Sequence, residues 1–247
     1  MVRIFPDKTR MSAAAASHAA SILREKLAQQ ENVRLVAATG ASQLIFLEHL
    51  AKEPSLDWSR VELFHLDEYI GIGQDHPASF ARYIRQRIIE PLRIFHYYLL
   101  DGKRPPADVI AEANTAIRQN PIDLAFVGIG ENSHLAFNDP PADFQTEQPY
   151  LLVELDEACQ QQQVNEGWFP ALDEVPRQAI SMSIRQILKS GEIVCVVPGP
   201  QKARAVQASL EDPIGPQVPA SILRTHPHVT FFFDEDAASR LQTQKRD

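Results

Sequence analysis

Short apolar runs alternate with stretches of helical spacing along most of this chain. Residues 34–38, 61–66, 97–100, 122–127, 193–197 and 229–233 are each a few residues long and mainly apolar, as strands buried on both faces are. Between them, residues 44–52, 78–89, 107–118, 201–210 and 236–241 read as helices, and the Ala-rich run from Met11 to Ala20 reads as a first helix. The alternation predicts an α/β fold, a mainly parallel sheet with helices on both faces in a Rossmann-like arrangement. Sheets of this kind bind ligands beyond the carboxyl ends of their strands, where loops meet helix N-termini.

At 247 residues the chain is read as one domain spanning 1–247. The stretch 155–175 breaks the pattern with the run Gln160–Gln163, then Asn165, Gly167, Trp168 and Pro170. A loop that long inside a compact domain is characteristically functional, and an active-site lid is expected around 150–176. A net charge of −8 argues against nucleic acid or an anionic membrane as partner, because both need clustered cations. No apolar segment is long enough to span a bilayer, and the first helix lacks the apolar core of a secretory signal. Cys159 and Cys195 lie far apart without metal-ligand spacing and are read as reduced thiols of a cytoplasmic protein.

Four strand ends carry candidate chemistry. Thr39-Gly40-Ala41-Ser42 follows the strand at 34–38 and precedes a helix; glycine, hydroxyls and free helix amides together suit an anion such as phosphate. The same residues also suit an ordinary turn with Ser42 as N-cap. In Leu66-Asp67-Glu68-Tyr69 acids follow a buried strand at once, which places Asp67 as a general base; a solvated turn or helix cap is the alternative.

The third strand end runs Gly128-Ile129-Gly130-Glu131-Asn132-Ser133-His134 to Asp139-Pro140. It lacks the third glycine and the following helix of a dinucleotide loop, so no nicotinamide cofactor is expected. His134 can exchange protons near neutral pH with Asp139 setting its tautomer, or it can be a structural histidine. The fourth, Pro198-Gly199-Pro200-Gln201-Lys202, opens a helix with a cation where the dipole prefers an acid. Lys202 there suits a bound anion, although an exposed lysine would read the same way.

In this order the four segments resemble the glucosamine-6-phosphate deaminase and isomerase family, which shares its fold with 6-phosphogluconolactonase. Supporting likenesses are Val175-Pro176, Ala179-Ile180-Ser181-Met182, Pro219 to Leu223 and His226-Pro227. The resemblance implies a sugar-phosphate isomerase fold and an enzyme that converts glucosamine 6-phosphate to fructose 6-phosphate and ammonia without cofactor or metal. It further implies that His134, assisted by Asp139 and Asn132, opens the pyranose ring and that Asp67 moves a proton from C2 towards C1. Thr39, Gly40, Ala41, Ser42, Gly130 and Lys202 would bind the sugar phosphate, and a symmetric homo-oligomer is common in such a family.

The chain departs from that pattern in several places. Asn132 stands where some members carry Asp, Ser133 replaces a usual Gly, and Asp139 a usual Glu. From Tyr150 to Pro176 there is no Lys, Arg or His, whereas members commonly supply a phosphate-binding arginine there. Lys202 with backbone amides, Arg177 or Arg185 reaching in, or a different substrate would each account for this. A lactonase that activates water with a histidine and a non-catalytic sugar-phosphate sensor are the competing readings.

Overall fold

The computed structural model describes residues 1–40 and 42–242, so Ala41 lies outside the described residues. Its core is a seven-stranded sheet of β1 (Val2–Phe5), β2 (Val33–Ala37), β3 (Val61–His65), β5 (His96–Tyr98), β6 (Leu124–Val127), β9 (Glu192–Val197) and β10 (Val229–Asp234). The order is β1-β10-β9-β6-β2-β3-β5, and every neighbouring pair is parallel. A second sheet is antiparallel, with β8 (Gln178–Met182) between β4 (Asp67–Tyr69) and β7 (Tyr150–Glu154).

Alternate strand residues serve the two faces of the large sheet, which is why the runs read as mainly apolar. Leu35, Ala37, Leu63, Phe126, Val194 and Phe232 pack under α1 (Lys8–Gln29) and α2 (Leu44–Leu50). The same face is covered by α3 (Phe80–Ile84), which runs through a π-turn into α4 (Glu90–Leu92). Val36, Phe64, Val127, Cys195 and Phe233 face the other way, towards α5 (Pro106–Ile117), α7 (Ile184–Leu188) and α8 (Ala203–Glu211). Helices therefore cover both faces, as expected.

Three expectations are corrected. Residues 236–241 form turns rather than a helix. The Asp234 carboxylate accepts from the amides of Gly199 and Ala237, closing the chain into a turn directly after β10. The stretch 155–175 is not a loop throughout, because it holds α6 (Glu157–Asn165), started by Asp156, whose side chain accepts from the Cys159 amide. And Asp67 does not follow the main sheet into a loop: it begins β4 and pairs with Ser181 of the second sheet.

Chain order reverses between β2 and β6, where successive crossovers go to opposite edges of the sheet. The crevice at such a reversal is the ligand site of open α/β sheets. All four candidate loops leave strands beside this point, β3, β2, β6 and β9, which are neighbours in the sheet.

Candidate active site

Those segments and α6 line one cleft. Its walls include Thr39, Gly40, Ser42, Asp67, Gly130, His134, Gln162, Gln163, Glu166 and Lys202. The expected base, imidazole and anion-binding lysine thus share one cavity. Asn132 and Asp139 do not line it; they stand behind His134.

Asp67 is 6% exposed, and its carboxyl takes no hydrogen bond from any described residue. Glu68, beside it, accepts from the Tyr69, Phe80 and Ala81 amides and from the Ser79 hydroxyl. Burial raises the proton affinity of both groups, and their proximity adds to it at Asp67. Four donors favour a charged Glu68, so the proton rests on Asp67, whose pKa is pushed up to about 8. A carboxyl held there can take and return a proton near neutrality, which a solvated turn residue at its ordinary 3.8 does less well. Glu68 also starts α3, and Tyr69 donates to Gln163 Oε1 at 2.6 Å, linking this segment to α6.

His134 owes its position to its loop. Its Nδ1 lies 3.0 Å from Asp139 Oδ1, off the line of a well-aligned hydrogen bond, and its amide donates to Asn132 Oδ1. Asn132 Nδ2 bridges Asp139 at 2.9 Å and Asp156 at 3.0 Å, while Asp139 Oδ2 accepts from the Asp156 amide. Burial pushes the Asp139 carboxyl up, but its contacts with His134, Asn132 and Asp156 outweigh that and hold it below its ordinary value. Asn132 and Asp139 therefore flank His134 and tie its loop to the start of α6. Asn138 fastens the other end of the loop, donating to the Leu135 and Met182 carbonyls.

Thr39, Gly40, Ser42 and Lys202 enter the cleft wall from beyond the ends of β2 and β9. Gly40 adopts φ +93°, open to glycine, in the turn entering α2. Gln43 is fully buried beneath it, its Nε2 donating to the Val196 carbonyl and to Ser42 Oγ. Nothing in the sequence pattern singled Gln43 out. Lys202 is buried in the 3₁₀ turn before α8 rather than exposed. Burial lowers its pKa, an effect that Glu166 and Glu131 partly offset.

No other Lys or Arg lines the cleft among the described residues. Arg185 is drawn to Glu147 at 2.5 Å, and Arg177 is not among the residues of the walls. The cleft wall on this side carries Gln162 and Gln163 of α6. Gln162 Oε1 accepts from the Glu131 amide, and Gln163 Nε2 has no hydrogen-bond partner among the described residues.

The family model for glucosamine-6-phosphate isomerases and 6-phosphogluconolactonase matches residues 6–232. A glucosamine-6-phosphate deaminase of Streptococcus pyogenes serotype M1 is 37% identical over 90% of this chain and 92% of its own. One from Streptococcus pneumoniae strain 70585 is 36% identical over the same shares. Among solved structures, a monomeric glucosamine-6-phosphate deaminase superposes with a TM-score of 0.89 at 28% identity, over 96% of this chain and 98% of that one. The 6-phosphogluconolactonase of Thermotoga maritima, covering 95% and 99%, reaches a TM-score of 0.78 at 18% identity, a likeness of fold alone.

Proposed function

The chain belongs to the family of glucosamine-6-phosphate isomerases and 6-phosphogluconolactonase, and from that premise we propose that it isomerises and deaminates glucosamine 6-phosphate to fructose 6-phosphate and ammonia. The observation that carries the reading is the placement of Asp67, His134 and Lys202 on the walls of one cleft. A proton donor-acceptor at each of two reacting positions and a fixed cation for the distal phosphate are what such a reaction requires.

In this reading His134 takes the proton of the anomeric hydroxyl as the bond between C1 and the ring oxygen breaks, and returns it to that oxygen. Asp67 then removes the C2 proton from the open aldose while the C1 oxygen gains one, giving an enolamine. Reprotonation at C1 leaves a C2 imine, to which water adds before ammonia departs. Carbon C1 is reduced and C2 oxidised within one molecule, so the reaction balances without an external redox partner. Thr39, Gly40, Ser42 and Lys202 hold the phosphate with fixed donors, and Gln163 Nε2 faces the sugar.

The segment around 150–176, with α6 at its centre, acts as the lid in this reading. A cytoplasmic setting is part of the proposal, supported by two free buried cysteines and by the absence of a helix among the described residues that is long and apolar enough to cross a membrane. Assembly into a symmetric oligomer is likewise a proposal, which light scattering tests; the solved relative is described as monomeric.

Glucosamine 6-phosphate and 6-phosphogluconolactone, offered separately, distinguish the family's two activities. Release of ammonia with formation of a ketose is expected; lactone loss without either product would assign the chain to the other branch.

A further inference from the structure

Glu166 lies beside Lys202 in the wall of the cleft. Its Oε1 lies 3.6 Å from Lys202 Nζ and accepts from Gln162 Nε2 at 2.7 Å, and its Oε2 accepts from Trp168 Nε1 at 3.2 Å. The side chain is only 16% exposed and lines the cleft wall. Two donors and the Lys202 ammonium converge on a carboxylate supplied by the protein itself.

The local fold shows how this acid comes to be there. Glu166 is the residue that ends α6; Gly167 follows at φ +81°, and the amides of Glu166, Gly167 and Trp168 bond back to the carbonyls of Gln162, Val164 and Gln163. A helix C-terminus carries partial negative charge, so an acid at this position is unfavourable unless a cation lies beside it. Lys202 is that cation. A phosphate bound to Lys202 would face both the carboxylate and the helix end, with no second Lys or Arg among the described residues that line the cleft.

We propose that Glu166 is a built-in competitor of the phosphate subsite: in the ligand-free protein its carboxylate fills the cradle formed by Lys202, Gln162 and Trp168, and it must leave for the ligand's phosphate to enter. The proposal rests on the reading of Lys202 as the phosphate-binding residue. It makes Glu166 a determinant of anion affinity and couples filling of the subsite to movement of the lid helix at its Trp168 end. It also accounts for a buried lysine whose charge would otherwise be uncompensated before substrate arrives.

Trp168 is the reporter. The chain has two tryptophans, and the other, Trp58, packs in the separate core beneath α2, so a Trp58→Phe background isolates the indole that donates to Glu166. Titration with inorganic phosphate is followed by Trp168 emission and, independently, by calorimetry, in that background and with Glu166→Gln or Glu166→Asp added.

Phosphate is expected to alter Trp168 emission in the parent. Glu166→Gln should bind phosphate about tenfold more tightly with a smaller emission change, because like charge has been removed from the subsite. Glu166→Asp keeps the charge and should stay within about twofold of the parent. Equal or weaker binding by Glu166→Gln, equal tightening in both variants, or no phosphate binding by any of them would overturn the proposal.

Ammonia release from glucosamine 6-phosphate, measured on the same proteins, separates this inference from the proposed function. Tightened phosphate binding without ammonia release would sink the activity and leave the competitor standing. Ammonia release with unchanged phosphate affinity would do the reverse.

Discussion

The imidazole of His134 rests on Gly130: a Cβ at Gly130 would lie 2.2 Å from Nε2 and 2.3 Å from Cδ2 and Cε1 of the ring. Gly130 lines the cleft, as expected of a substrate-binding residue, and it is also the seat of the ring. Gly130→Ala must push the ring off its position, and a displacement of that order costs about a hundredfold in rate. Ammonia release measures it, and activity within about threefold of wild type would mean that the ring does not depend on this seat.

Ser133 holds φ +70° in the turn just before His134, a conformation that glycine adopts without penalty. Ser133→Gly is expected to relieve strain and raise stability by up to about 1 kcal/mol. Its hydroxyl has no hydrogen bond among the described residues that the change would remove. Denaturant unfolding of the two proteins checks the sign, and a fall in stability would show that the serine is accommodated without strain.

The raised pKa of Asp67 couples stability to pH. The folded protein keeps Asp67 protonated up to about 8, whereas the unfolded chain releases that proton near 3.8. Between those values the native state binds the extra proton, so stability falls as pH rises through the window. Asp67→Asn stays neutral throughout. Its melting temperature should therefore match wild type at pH 4 and exceed it by several degrees at pH 8.5. A gain independent of pH would show that Asp67 is not the group that holds the proton.

His134, Asp139 and Cys159 bring ligand atoms within 4.8 Å of one another. Both Asp139 oxygens already accept hydrogen bonds from Asn132 and the Asp156 amide, and burial keeps Cys159 a thiol rather than the thiolate that binds metal. Exhaustive chelation should leave turnover unchanged. Loss of activity restored by one divalent ion would contradict this.

The architecture was legible because it rests on short, mainly apolar runs: β2, β3, β6, β9 and β10 are buried almost throughout on both faces. The four loops could be placed for the same reason, since each leaves such a strand. The second sheet was not legible, because β7 alternates buried and exposed residues over a short span and β4 opens with two acids whose burial comes from tertiary packing. The helix α6 was hidden by its glutamines. Gln162 and Gln163 fall in the stretch expected as a loop, yet they are buried on a helix because the Glu131 amide and the Tyr69 hydroxyl satisfy them. Glu166 gave no signal at all, since its role depends on Lys202, which is 36 residues later in the chain and meets it only in the fold.

The most direct measurement compares the rate of ammonia release from glucosamine 6-phosphate by the wild-type protein and by Asp67→Asn, with inorganic phosphate binding recorded on both. If Asp67 moves the proton from C2, the variant loses about a thousandfold or more in turnover and still binds phosphate at Lys202. Turnover by Asp67→Asn within about tenfold of wild type would remove Asp67 as the base and, with it, the mechanism built on this cleft.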